Sequence, residues 1–227
     1  MDFTLKTYRS LLSALRRAGY TFRTFEEFLS VPADGKVVIL RHDIDKRPEN
    51  ALRLAQIEHA SGVKASYYIR VVKGTWNEEI IEQIVALGHE MSYHYEDLTI
   101  TKGNYEKAFE HFKVHLAEIR RFYPAKTVCM HGSPLSRWDN RKLWEKYNYR
   151  EAGIIGEPYF DVDYTDIFFG DDDMVIYNES ECQIFTTDGV EKYHGSFGKS
   201  ARLLLPAGGS YKYYLVTDST IDTIQLK

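Results

Sequence analysis

The apolar run Val37-Val38-Ile39-Leu40 leads directly into Arg41-His42-Asp43-Ile44-Asp45. Such a run reads as a buried strand, so two carboxylates and an imidazole stand where that strand ends. In parallel α/β folds the strands hold the backbone rigid, and ligands and metals gather in the loops at their carboxyl ends. Charge at this strand end is therefore a site signal, and it narrows the fold to those that bring such ends together.

The chain around it alternates. Leu5, Tyr8, Leu11, Leu12 and Leu15 form one helical stripe that Gly19 closes. Thr24 and Glu27 are spaced as a capping box for a short helix. After Asp45, Pro48 opens a helix that ends near Gly62. Strand patterns over residues 64–71, 89–95 and 127–130 then alternate with helical ones over 77–87, 103–122 and 140–147, and residues 157–162 read as a fifth strand. Alternation of this kind predicts a parallel sheet or barrel. Beyond residue 166 the regularity fails, and residues 170–227 read as short strands and loops.

The 227 residues suit one α/β domain spanning 1–227. A formal net charge of -4 without a basic face argues against a nucleic-acid partner. Cys129 and Cys182 form no CxxC and no disulfide framework, the first residues lack a signal-peptide core, and no apolar run approaches the roughly 20 residues that span a membrane. The expectation is a cytoplasmic protein with reduced thiols. Seventeen Tyr and twelve Phe suffice to line a sugar site, although ordinary core and surface placement is the favoured account of them.

Three of these strand ends supply, in chain order, Asp43 and Asp45, then His94, then His131. Two imidazoles and a carboxylate form a ligand set for Zn²⁺ or a similar divalent ion with positions open to water, and a second carboxylate beside them suits a general base. A single histidine of this kind is more often structural. Their shared location is what marks them.

Four stretches carry a resemblance to a known family: Leu40-Arg41-His42-Asp43-Ile44-Asp45-Lys46-Arg47-Pro48-Glu49-Asn50-Ala51, Gly88-His89-Glu90-Met91-Ser92-Tyr93-His94-Tyr95-Glu96-Asp97-Leu98, His131-Gly132-Ser133-Pro134-Leu135-Ser136-Arg137-Trp138-Asp139-Asn140-Arg141, and Gly156-Glu157-Pro158-Tyr159. Over about residues 35–165 the chain resembles the NodB-type polysaccharide deacetylases, and among them the WbmS-like proteins of surface-polysaccharide clusters. The resemblance implies a distorted (β/α) barrel, complete or incomplete, with a metal, Zn²⁺ by preference, at the strand carboxyl ends. It also implies hydrolysis of the amide of an N-acetylated sugar in surface-polysaccharide biosynthesis. On the matching positions Asp43 resembles the catalytic base, Asp45 the metal-binding aspartate and His94 the first metal histidine; the two aspartates can exchange roles. The family's second metal histidine lies four residues after the first, where this chain has Leu98. His131 is the favoured replacement, with Glu96 and Asp97 in reserve. Residues 170–227 depart from the family, and the last histidine is His194.

Two other readings stand beside this one. The first is a metal- or sugar-binding relative without catalysis. The second is a haloacid-dehalogenase-like phosphatase using Asp43-x-Asp45, with Gly170-Asp171-Asp172-Asp173 holding Mg²⁺, although that motif expects Thr or Val where Arg47 stands.

Overall fold

The computed structural model describes residues 4–32, 35–132 and 136–162, and beyond them the backbone of seven strands between residues 167 and 225. The chain divides into two compact units, Gly19–Val162 and Met1–Ala18 with Asp163–Lys227.

In the second of these, α1 (Leu5–Arg17) is capped by Thr4 and buries Tyr8, Leu12, Ala14 and Leu15. In the Gly19–Val162 unit, β1 (Thr21–Arg23) leads into α2 (Phe25–Ser30), whose capping box closes as the spacing predicts: Thr24 Oγ1 accepts from the Glu27 N–H, and Glu27 Oε2 accepts from the Thr24 N–H. The apolar run then serves two sheets. β2 (Val37–Ile39) pairs in parallel with β1, and β3 (Arg41–Ile44) opens a separate sheet after Leu40. Next come α3 (Pro48–Ala60), β4 (Ser66–Ile69), α4 (Glu78–Ala86), β5 (Glu90–Tyr95), a short α5 (Asp97–Ile100), α6 (Tyr105–Arg120) and β6 (Val128–Met130).

These four strands lie in the order β3-β4-β5-β6, all parallel. Sequential order without a switch puts the crossover helices on one face. There Ile44, Tyr67, Ile69, Met91, Tyr93 and Tyr95 pack with Ala51 and Ala55 of α3, Ile81 and Ile84 of α4, and Phe112 and Leu116 of α6. Full burial of such a side chain is worth about 1.5–3 kcal/mol. Polar members of this face are satisfied locally. The fully buried Glu58 meets His42 Nε2 and the Tyr67 hydroxyl at 2.6 Å each. His89 accepts from the Ala65 N–H and donates to the Ala55 carbonyl, which defines it as neutral, in keeping with the lowering of its pKa by burial.

The opposite face is polar: register places Asp43, Tyr68 and Ser92 on one row and His94 with Cys129 on the next. Glu90 on this face accepts from the Ser66 and Thr127 hydroxyls and from the Glu26 N–H of α2, while the Phe25 N–H donates to Ser66 Oγ. One buried carboxylate thus fastens α2 to the sheet.

The expected (β/α) barrel is corrected to an open α/β arrangement. Closure takes about eight strands, and after β6 the described residues make no further βα unit. Residues 140–147, expected as an α-helix, form a 3₁₀ turn at Asn140–Glu145, with another at Tyr149–Ala152. The expected fifth strand is instead a helical turn, α7 (Pro158–Asp161), because Glu157 caps it and Pro158 is already set for its first position. Among the described residues, the bridge Thr127↔Gly156 alone continues the sheet there. In the C-terminal region β7 (Ile167–Phe169), β8 (Asp173–Tyr177), β9 (Cys182–Thr186) and β10 (Glu191–Gly195) form one antiparallel sheet, and β11 (Ala201–Pro206), β12 (Lys212–Thr217) and β13 (Ile221–Gln225) another. No helix among the described residues is long and apolar enough to cross a membrane.

Replacing Glu90 with Ala leaves the Ser66 and Thr127 hydroxyls and the Glu26 N–H without their buried acceptor. The expected loss is about 2–4 kcal/mol in urea unfolding, well beyond the ~0.5 kcal/mol of a neutral surface change; a loss within that smaller range would contradict the role given to Glu90.

Candidate metal centre

Strand geometry places the site. Asp43 lies on β3, and Asp45 follows in a tight turn in which the Asp45 N–H donates to the Asp43 carbonyl at 3.2 Å. Arg47 closes this turn at φ 51, a left-handed conformation uncommon outside glycine and asparagine, and Pro48 starts α3 immediately after it. The Thr75 hydroxyl, from the loop between β4 and α4, donates to the Asp45 carbonyl. Across the sheet, His94 lies on β5 opposite Cys129 of β6, and His131 follows β6 with its N–H donating to the Tyr95 carbonyl at 2.8 Å. Asn140 fixes the His131 backbone by donating to its carbonyl, while its own Oδ1 accepts from the Thr99 N–H.

Asp45, His94 and His131 come together. Asp45 Oδ1 lies 2.9 Å from His131 Nδ1 and 3.4 Å from His94 Nε2, and the two imidazole nitrogens are 3.2 Å apart. Two ligand atoms at 2.0–2.1 Å from a tetrahedral ion stand about 3.3 Å from one another. The three donor atoms therefore already have the spacing of one face of such a coordination shell. His94 Nδ1 donates to the Cys129 carbonyl at 3.0 Å, so in the neutral ring Nε2 carries the lone pair that faces the other two. A proton on His94 Nε2, where a metal ion would sit instead, hydrogen-bonds to Asp45; that contact, with His131 beside it, lowers the Asp45 pKa against the opposing effect of burial, and burial together with the neighbouring His94 and Arg70 lowers that of His131. Both shifts favour the forms that bind metal. Asp45, His94 and His131 thus fit a Zn²⁺-class ion.

Asp43 lies at the edge of this triad. Its Oδ2 is 4.0 Å from His94 Nε2 and accepts from Arg41 at 3.0 Å. Cys129 lies close enough to form a further group with Asp43 and His94, but burial, reinforced by the charge of Asp43, raises its thiol pKa and keeps it neutral.

The two reserve carboxylates point elsewhere. Glu96 Oε1 is held by Arg70 Nε at 2.8 Å and by its terminal nitrogen at 2.6 Å, and Asp97 contacts His111 and Tyr93. Leu98, at the position of the family's second histidine, is buried in the core. Gly170, Asp171 and Asp172 lie outside the described residues, as do Ser133 and Pro134. Arg70 and Glu157 also stand at the site, without a role assigned to either from the sequence. Arg70 follows the one parallel strand whose carboxyl end was credited with no charge, and its place beside Ile69 was the signal. Glu157 accepts from the Met130 and Tyr159 N–H groups beneath the site, and its burial is set by packing that no local pattern reveals.

The fold and this donor set define an open parallel α/β protein with a candidate divalent-metal centre at its strand carboxyl ends. The chain belongs to a family of unknown function, DUF5711, whose model matches residues 70–226. The matched span includes His94 and His131 and begins after Asp43 and Asp45. No curated protein matches the chain. Among solved structures, the crystal structure of Pyrococcus horikoshii Ph1500 shares 13% identity over 43% of this chain and 54% of that one, with a TM-score of 0.23. The match thus spans about half the length of that structure.

Burial raises the Glu157 pKa from 4.5 to about 7, against the hydrogen bonds that favour its charged form. A folded pKa above the unfolded one contributes stability that is fully present below pH 4.5 and is lost as pH rises through about 7. Urea unfolding across this window is expected to show wild type losing on the order of 2–3 kcal/mol relative to Glu157→Gln; parallel profiles would contradict the shift.

Proposed function

We propose that this protein is a divalent-metal-dependent hydrolase that removes the acetyl group from an N-acetylated sugar. The observation that carries the reading is the triangle of Asp45 Oδ1, His94 Nε2 and His131 Nδ1 with the carboxylate of Asp43 beside it. An ion bound there supplies a Lewis acid for the amide carbonyl and makes water acidic enough to lose a proton near neutral pH. The protein's own groups do the rest. Asp43, steadied by Arg41, takes the proton from the attacking water and returns it to the departing amine nitrogen, so one carboxylate serves as base and then as acid. The Cys129 carbonyl holds the His94 imidazole, and Asn140 holds the backbone that carries His131.

The substrate class rests on the resemblance to polysaccharide deacetylases, together with a feature beside Arg41. Tyr159 is 40% exposed, and the guanidinium groups of Arg41 and Arg141 lie over its ring, 5.7 and 5.3 Å from the centroid. The exposed part of this ring offers an aromatic contact for a sugar, with charged donors beside it for hydroxyl groups. A cytoplasmic location belongs to this proposal, and the unpaired thiol of Cys129 supports it.

Acetate release from N-acetylhexosamine and nucleotide-sugar substrates tests the reading. Asp43→Asn is expected to keep its metal and lose activity by about 10²–10⁴-fold, whereas Asp45→Ala and His94→Ala each lose one metal equivalent as well. Activity that survives Asp43→Asn would overturn the role of base. A protein that retains its metal, yet releases no acetate from any of these substrates, would favour the non-catalytic binding relative.

A further inference from the structure

A second imidazole cluster lies outside this site. His111 and His115 are four residues apart on α6, so they leave the helix on one face, one turn apart. That face meets Asp97, the first residue of α5. Asp97 Oδ1 is 2.6 Å from His111 Nδ1 and 4.0 Å from His115 Nδ1, and the two imidazole rings are 4.0 Å apart. One ligand atom from each of the three lies within 4.8 Å of the other two.

A separate observation singles out Asp97. Its side chain is wholly buried, and Oδ2 receives no hydrogen bond from any described residue. The Tyr93 hydroxyl lies between Asp97 Oδ1 and His115 Nδ1, so its one proton serves only one of them and neither choice satisfies Oδ2. Buried carboxylate oxygens without partners are rare, and a bound ion is one of the few causes that accounts for one. The imidazoles are less enclosed, with side-chain exposures of 32% for His111 and 16% for His115, so an ion reaches them from solvent.

The geometry points to a second divalent-metal site formed by Asp97, His111 and His115. With two nitrogen donors and one carboxylate it suits Zn²⁺ or its neighbours Ni²⁺ and Cu²⁺, and not Mg²⁺ or Ca²⁺, which prefer oxygen. The site is distinct from the first because Tyr93 and His94 are adjacent on β5 and so face opposite sides of the sheet. An ion here ties α6 to the turn that follows β5, a structural role independent of the proposed hydrolysis.

Zinc counting on the full-length chain tests it. In an Asp45→Ala/His94→Ala background, which removes the first site, one equivalent of Zn²⁺ is expected, with an upward shift in Tm on its addition and a visible absorption band with Co²⁺. Adding His111→Gln or His115→Gln is expected to weaken binding by at least ~100-fold, beyond the ~10–100-fold that loss of an outer partner costs. No zinc in the background variant, or binding unchanged by both substitutions, would overturn the site. If circular dichroism shows the background variant unfolded, His115→Gln alone is compared with wild type. A loss of one equivalent supports the site, and an unchanged count overturns it.

Discussion

A buried parallel sheet ordinarily carries apolar side chains on both faces, yet this one presents Ser66, Tyr68, Glu90, Ser92, His94 and Thr127 on one of them, each at most 2% exposed. Every such group must find a partner within the protein or lose on the order of 1–3 kcal/mol. The solutions shape the molecule. Near the amino ends of the strands Glu90, Ser66 and Thr127 satisfy one another and hold the start of α2. Tyr68 and Ser92 bond to Thr127, the first through its hydroxyl and the second through its carbonyl. Toward the carboxyl ends His94 turns one nitrogen to the Cys129 carbonyl, and the other is left to face Asp45 and His131.

That last choice makes the strand ends a site and not merely a polar cap. A histidine whose Nδ1–H is held by a carbonyl has a fixed tautomer and a fixed ring, so its Nε2 is preorganised as a ligand. The loops add what the strands cannot. The Asp43-to-Arg47 turn, with its left-handed Arg47, brings Asp45 forward; Asn140 draws the chain after β6 back so that His131 closes the triangle. Arg41 and Arg70 occupy the carboxylates that surround the triad, Asp43 and Glu96, and keep them oriented.

Much of this was legible in the sequence because it depends on local pattern. The capping box at Thr24, the helix after Pro48 and the strand ending at Tyr95 follow from spacing and turn chemistry, and Asp43, Asp45, His94 and His131 stand out in the sequence because each follows or ends a strand pattern. The failures share another cause. The run 37–40 gives no sign that it is divided between two sheets, since the division depends on β1, which is three residues long and carries no alternating pattern of its own. Barrel closure depends on partners for the sheet edges, and over residues 157–162 a strand pattern competes with Pro158 placed after the capping Glu157, which is the stronger signal. Asp97 was weighed as a ligand beside Glu96, but its direction is set by the α5 turn, which aims it at α6.

The central claim is that Asp45, His94 and His131 hold a divalent ion, and an anomalous-scattering map from crystals grown with Zn²⁺ tests it most directly. The account predicts a peak within about 2.0–2.2 Å of Asp45 Oδ1, His94 Nε2 and His131 Nδ1, with at least one further position taken by water. A map with no peak between these atoms, or with zinc held there through the sulfur of Cys129, would contradict it.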